Sequence, residues 1–130
     1  MLHKYQQQTF EIDIQVEPRY VPEESLPELE QYIYLYTIKV TNNTHHTIQL
    51  LKRNWKIKNG KGVVEEVEGT GVVGQQPTIL PGDSYSYSSF CPLSTPTGNM
   101  RGHYEFMDEN GIRFWVDIPL FFLRPDALTN

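Results

Sequence analysis

The sequence predicts an all-β fold: an antiparallel β-sandwich of the fibronectin type III or immunoglobulin-like kind, with roughly seven to eight short strands and no disulfide. Three observations lead there. Apolar and aromatic residues recur with period two in short runs bounded by Gly, Pro, Asn and Asp. No window of useful length repeats at the helical period, so a parallel sheet has nowhere to place its crossovers. Cys91 stands alone, which removes any intrachain bridge and the Cys…Trp…Cys pattern of disulfide-pinned sandwiches, leaving the fibronectin type III kind as the better fit.

Taken in order, Phe10, Ile12, Ile14 and Val16 alternate with polar residues and predict a strand over Thr9–Glu17. Residues 18–30 carry Pro18, Pro22 and Pro27 among five glutamates from Glu17 to Glu30, which reads as a long, acidic, mobile loop outside the sheet interior. Gln31–Thr41 is dense in β-formers and reads as a central strand. Ile48–Lys58 switches parity near its start, which predicts a bulge or sheet crossing. Asn59-Gly60 predicts a tight hairpin turn with positive φ at both central residues, leading into a strand over Gly62–Val67. Pro81-Gly82-Asp83 introduces Ser84–Phe90, whose tyrosines Tyr85 and Tyr87 alternate with serines on the outer face. Asp108–Gly111 closes a hairpin between Asn99–Met107 and Ile112–Ile118. In that last strand Ile112, Phe114, Val116 and Ile118 share one face, which turns Trp115 outward. Phe121 and Phe122 are adjacent, so one of them also points out.

The 130 residues and 15.1 kDa suit one domain, with a sandwich over 9–124 and a loose tail over 125–130. Eleven basic against sixteen acidic residues give net charge −5 and pI ≈ 5.3, no footprint for nucleic acid or an anionic membrane. No signal core or membrane span is visible. A soluble, cytoplasmic protein is expected, a monomer or weak homodimer whose sheet edges could pair.

Gly69-Thr70-Gly71-Val72-Val73-Gly74 is a formal G-x-G-x-x-G. In a dinucleotide fold the motif opens a helix whose N-terminus meets a pyrophosphate; here valines lead into Gln75-Gln76-Pro77 and no helix follows. Two readings remain: a bend or bulge at a sandwich edge, or an anion-binding nest of backbone amides. His45, His46, His103, Glu105, Asp108 and Glu109 are metal-ligating types without a ligand spacing, and the acids read as solvated turn residues. No nucleophile elbow occurs, and Cys91 before Pro92 reads as a small buried hydrophobe. What remains is an aromatic and arginine surface, Arg53, Trp55 and Trp115, with the composition of a protein-binding hot spot. The residues name no catalytic group, metal site or cofactor.

Leu50–Ile57, Val67–Pro77, Leu80-Pro81-Gly82-Asp83, Ser94–Glu105 and Ile118-Pro119 together resemble the bacterial ApaG proteins, over about Phe10–Leu123. The resemblance implies a fibronectin type III-like sandwich and an association with divalent cation (Co²⁺/Mg²⁺) homeostasis. Related domains in eukaryotic F-box proteins and in a DNA-polymerase-delta-interacting protein point to an interaction role. The family has no established catalytic residues to carry over, and Thr70 stands where an acidic residue is common in it. The leading expectation is therefore a non-enzymatic interaction or regulatory domain with an unidentified protein partner. The alternative is a sensor of a small anion or metal–pyrophosphate at residues 69–74, with a divalent cation or pyrophosphate as ligand, and a phosphate-ester hydrolase comes third.

Overall fold

The computed structural model describes residues 4–125; the predicted tail over 125–130 lies, apart from its first residue, outside them. Among the described residues nine strands form two antiparallel sheets: β1 (Tyr5–Thr9), β2 (Ile12–Tyr20), β3 (Tyr32–Asn42), β4 (Ile48–Asn59), β5 (Val64–Thr70), β6 (Thr78–Ile79), β7 (Ser84–Leu93), β8 (Gly98–Asp108) and β9 (Arg113–Leu123). The first sheet runs β1-β2-β3-β7. The second runs β5-β4-β8-β9, with β6 on the edge of β4 beyond β5. The predicted sandwich is thus present, with nine strands where seven to eight were expected; β1 and the two-residue β6 are the strands the alternation did not show.

Alternation sets the core. Ile12, Ile14 and Val16 of β2, Tyr34, Ile38 and Val40 of β3 and Tyr104 and Phe106 of β8 are buried because every second side chain of a strand shares a face. The expected serine-out pattern of β7 holds, with Ser84, Ser86 and Ser88 exposed and Tyr87 and Cys91 buried. The parity switch in β4 is a register shift between Leu50 and Lys52. A second shift, between Met100 and Gly102 on β8, falls opposite Pro119 and moves the inward set of β9 from Val116 and Ile118 to Phe121 and Leu123, so Phe122 is the outward member of its pair.

Four expectations need correction. The run Thr9–Glu17 is not one strand: Phe10 and Glu11, both at positive φ (51° and 62°), form the two-residue turn between β1 and β2, whose register is Thr9 against Ile12. Pro18 lies within β2, paired with Tyr36, where β1 no longer covers the other edge and a missing N–H leaves no ladder bond unmade. Beyond it the acidic segment makes two 3-10 turns, Pro22–Glu24 and Pro27–Leu29. Buried Ser25 ties them down, its hydroxyl donating to Val21 O and accepting from Ile33 N–H. The Asn59 turn has its positive φ at Gly62 (83°). Asn59 Oδ1 accepts from Lys61 and Val63 N–H, and β5 starts at Val64 and runs to Thr70 rather than ending at Val67. Finally, Ile112 is not an inward residue but 60% exposed, because it still belongs to the turn held by Asp108.

The two sheets close along one side only. Tyr5 of β1 packs on Phe121 and Phe122 of β9 at ring-centroid distances of 6.1 and 6.5 Å. On the opposite side the edge strands β7 and β5 stand apart and leave a cleft.

Candidate functional site

Three turns meet at one end of the sandwich: Phe10-Glu11, the segment around Thr44–His46, and Asp108–Ile112. Between them is a groove of about 430 Å³, floored by Ile48 and Phe114 and flanked by Phe10, Ile112, Glu11 and Asp108. Each turn is tied by its own polar bonds. Asn43 N–H donates to Glu11 O, Asn42 Oδ1 accepts from Thr44 N–H and hydroxyl, and Asp108 Oδ1 accepts from Asn110 and Ile112 N–H. His46 Nδ1 and Glu109 Oε1, 2.6 Å apart, join two of the turns. The hydrogen bond to Glu109 holds the His46 imidazole above its usual range, and the same bond holds the Glu109 carboxyl below its own.

Phe10 is the unusual member. Aromatic residues seldom accept a left-handed backbone, yet Phe10 adopts it and leaves its ring 66% exposed, edge-on to Phe114 at 5.9 Å. No Gly, Asn or Asp marks the turn at Phe10, so alternation alone puts it inside a strand; its neighbour across the groove, Ile112, follows an Asp-Glu-Asn-Gly turn signal that outweighs the inward parity it shares with Phe114.

The second recess is the inter-sheet cleft of about 270 Å³, lined among others by Arg53, Trp55, Tyr36, Ile57, Val67 and Met100. Here the two predicted sites, the glycine motif and the arginine–aromatic surface, come together. Register pairs Arg53 with Gly69 across β4 and β5. A Cβ on Gly69 would lie 2.7 Å from Cζ, Nη1 and Nη2 of Arg53 alike, so the guanidinium lies flat over that glycine. Its Nη1 donates to Thr70 O at 3.2 Å and Gly71 O at 2.8 Å. Gly71 is needed for itself: its φ is +65°, and a Cβ would meet Gln75 O at 2.2 Å. Val72, fully buried, and Gln75 exchange both backbone bonds at 2.8 Å around Val73 and Gly74, at φ 41° and 78°.

The amides that a nest would aim at an anion are largely engaged. Gly71 N–H donates to Leu51 O and Val72 N–H to Gln75 O, while Gly69 and Thr70 belong to β5. The motif presents carbonyls to an arginine.

The expected arginine–tryptophan surface is split. Trp55 is 2% exposed, in ring contact with Tyr36 at 5.5 Å, Phe121 at 5.9 Å and Tyr104 at 6.5 Å. It is a core residue with an outer edge on the cleft, not a surface anchor. Trp115 is on the opposite face of the same sheet, 49% exposed, with His103 edge-on at 4.5 Å. Arg53 and Trp115 therefore cannot meet one partner patch together. Among the described residues no three His, Cys, Asp or Glu side chains are grouped to hold a metal ion, and no helix is long and apolar enough to cross a membrane. Burial pushes the Cys91 thiol up to about 12 and raises the hydroxyls of Tyr87 and Tyr104, which are hydrogen-bonded to each other.

Comparison with known proteins places this geometry. The family model described as the ApaG domain matches residues 22–108. Protein ApaG of Bordetella pertussis is 48% identical over 114 residues, 88% of this chain and 87% of that protein. Protein ApaG of Methylobacterium sp. (strain 4-46) is 45% identical over 119 residues, 92% of each chain. The crystal structure of the ApaA protein from Bordetella pertussis superposes with a TM-score of 0.85 at 47% identity, covering 90% of this chain and 95% of that one. The C-terminal domain of wzt, at 12% identity and TM-score 0.55, covers 95% of this chain and 77% of its own and shares the fold alone.

Proposed function

The chain belongs to the ApaG family, and from that premise we propose that it is a non-enzymatic recognition module whose partner docks in the end groove. The observation that carries the reading is Phe10. A left-handed backbone at a phenylalanine is unfavourable by roughly 1–2 kcal/mol, and the ring it displays is left in solvent beside an apolar groove. Departures from local preference of this kind concentrate where a surface is used. Ile112, 60% exposed across the groove, supplies a second apolar contact, and Glu11 and Asp108 put carboxylates on the rim. The complementary partner is a protein segment that inserts an apolar side chain between Phe10 and Ile112 and brings a basic group to the rim.

Two features support a role without chemistry. The strongly shifted thiol and phenols are driven toward their neutral, unreactive forms by burial, and the glycine motif is engaged by Arg53. In this reading the association with Co²⁺ and Mg²⁺ homeostasis that the resemblance implies is exerted through the partner. The test places the photo-crosslinking analogue p-benzoylphenylalanine at position 10 in cells. A discrete adduct that disappears when Ile112→Asp is added supports the proposal; absence of an adduct, or an adduct indifferent to that substitution, contradicts it.

A further inference from the structure

We infer that the inter-sheet cleft beside Arg53 is a second binding site, for a small organic acid that presents one carboxylate to the guanidinium and an apolar tail to Trp55 and Tyr36. The inference is independent of the end groove, which opens between three turns at the end of the sandwich and shares no lining residue with it.

The argument starts from the state of Arg53. Arg53 is part-buried, and its acceptors, the Thr70 and Gly71 carbonyls, are neutral and reached through Nη1 alone. Nη2 and Nε have no acceptor among the described residues, and no carboxylate pairs with the side chain there. A guanidinium partly withdrawn from water, held rigid and lacking a counter-ion is prepared for a charge-assisted pair with an incoming anion. The seat is specific to a planar cation, because Gly69 leaves room for the flat guanidinium and a methyl group there would collide with it.

The surroundings narrow the ligand. Among the described residues Arg53 is the sole cation lining the cleft and Glu65 is an acid beside it, so a single negative charge fits better than a phosphate dianion, which would call for more cationic partners. Trp55, Ile57, Val67 and Met100 of one sheet and Tyr36, Phe90, Cys91 and Pro92 of the other make most of the remaining wall apolar, with Ser89 as its polar member, which favours an apolar tail. The volume, about 270 Å³, falls just under the roughly 300–1,000 Å³ of sites for drug-sized molecules, so the tail is short. Trp55, itself part of this wall, has an indole N–H that is buried with no acceptor among the described residues.

Sodium octanoate and 1-octanol, which share a tail and differ in the charged head, are the probes, followed by amide and indole NMR on the full chain. Octanoate is expected to give saturable shifts at Arg53, Gly69, Gly71 and the Trp55 indole, and octanol to bind roughly tenfold or more weakly, the low end of what a hydrogen bond to a charged group contributes. Gly69→Ala, which unseats the guanidinium, and Arg53→Lys, which keeps the charge but not the fork, are each expected to weaken octanoate by about tenfold, with the remaining spectrum reporting that the fold persists. Equal binding of acid and alcohol, unchanged affinity in both variants, shifts gathered at Phe10 and Ile112 instead, or no saturable shift at all would each overturn the inference.

Discussion

The two recesses of this sandwich are built from opposite materials. The end groove is made by turns: its walls are side chains exposed on loops, its rim sets the carboxylates of Glu11 and Asp108 beside His45 and His46, and its apolar members Phe10 and Ile112 are more than half exposed. The lateral cleft is made by strand edges that fail to meet: its floor is the core itself, and its cation Arg53 is locked over a glycine. Turns can change a side chain without disturbing the sheets, whereas the cleft cannot lose Trp55 without losing packing shared with Tyr36, Tyr104 and Phe121. Recognition at the groove is thus separable from stability, and recognition at the cleft is not.

The strongest way to break that contrast is to compare the two tryptophans. Trp55→Ala should lower stability by about 3–5 kcal/mol, the usual effect of removing a large buried aromatic. Trp115→Ala, on the outer face, should change it by about 0.5 kcal/mol or less. Urea unfolding of both variants checks this; similar midpoint shifts would mean that Trp55 is not a core residue. Next in size, Phe10→Asn should stabilise the protein by roughly 1 kcal/mol, because Asn tolerates the left-handed turn, while weakening partner capture at the groove. A loss of stability in this variant would show that the Phe10 ring is held for packing and not for display.

The smallest effect concerns the bond that joins two turns of the groove. His46 titrates above its ordinary 6.5 because of Glu109, so the pair's contribution is full below about pH 6.5 and fades as pH rises through the raised value. Glu109 is held below its ordinary 4.5, so its contribution is present above that value and is lost as pH falls through the lowered one. In Glu109→Gln the His46 ring resonances, followed by NMR against pH, should titrate closer to 6.5 than in the parent chain. An unmoved midpoint would mean that the two turns are not coupled through this bond.

Much of the fold could be read from the sequence because strand parity is a local signal. The serine–tyrosine alternation of β7, the outward Trp115 and the irregularity near Leu51 all follow from counting by two. What could not be read depends on register or on turns without turn residues. Phe10-Glu11 lacks every usual marker, so two strands looked like one. The seating of Arg53 over Gly69 requires knowing how far β5 continues past Val67. That is set by the Asn59–Gly62 turn, whose positive φ falls two residues later than the Asn-Gly pair suggests. Trp55 and Trp115 looked alike in composition, and only the sheet separates them by face. The glycine motif was visible as a motif; its role as a seat for Arg53 was not, since its partner lies on the preceding strand.

The central claim is that the groove and the cleft select opposite charges on otherwise similar apolar ligands. One amide NMR titration with n-octylammonium and n-octanoate, equal in tail and opposite in head, tests it on a single sample. The account predicts octylammonium shifts at Phe10, Glu11, Thr44 and Ile112, and octanoate shifts at Arg53, Gly69, Gly71 and the Trp55 indole. Both probes perturbing the same residues would show that the tail alone decides, and would contradict the assignment of charge to either recess.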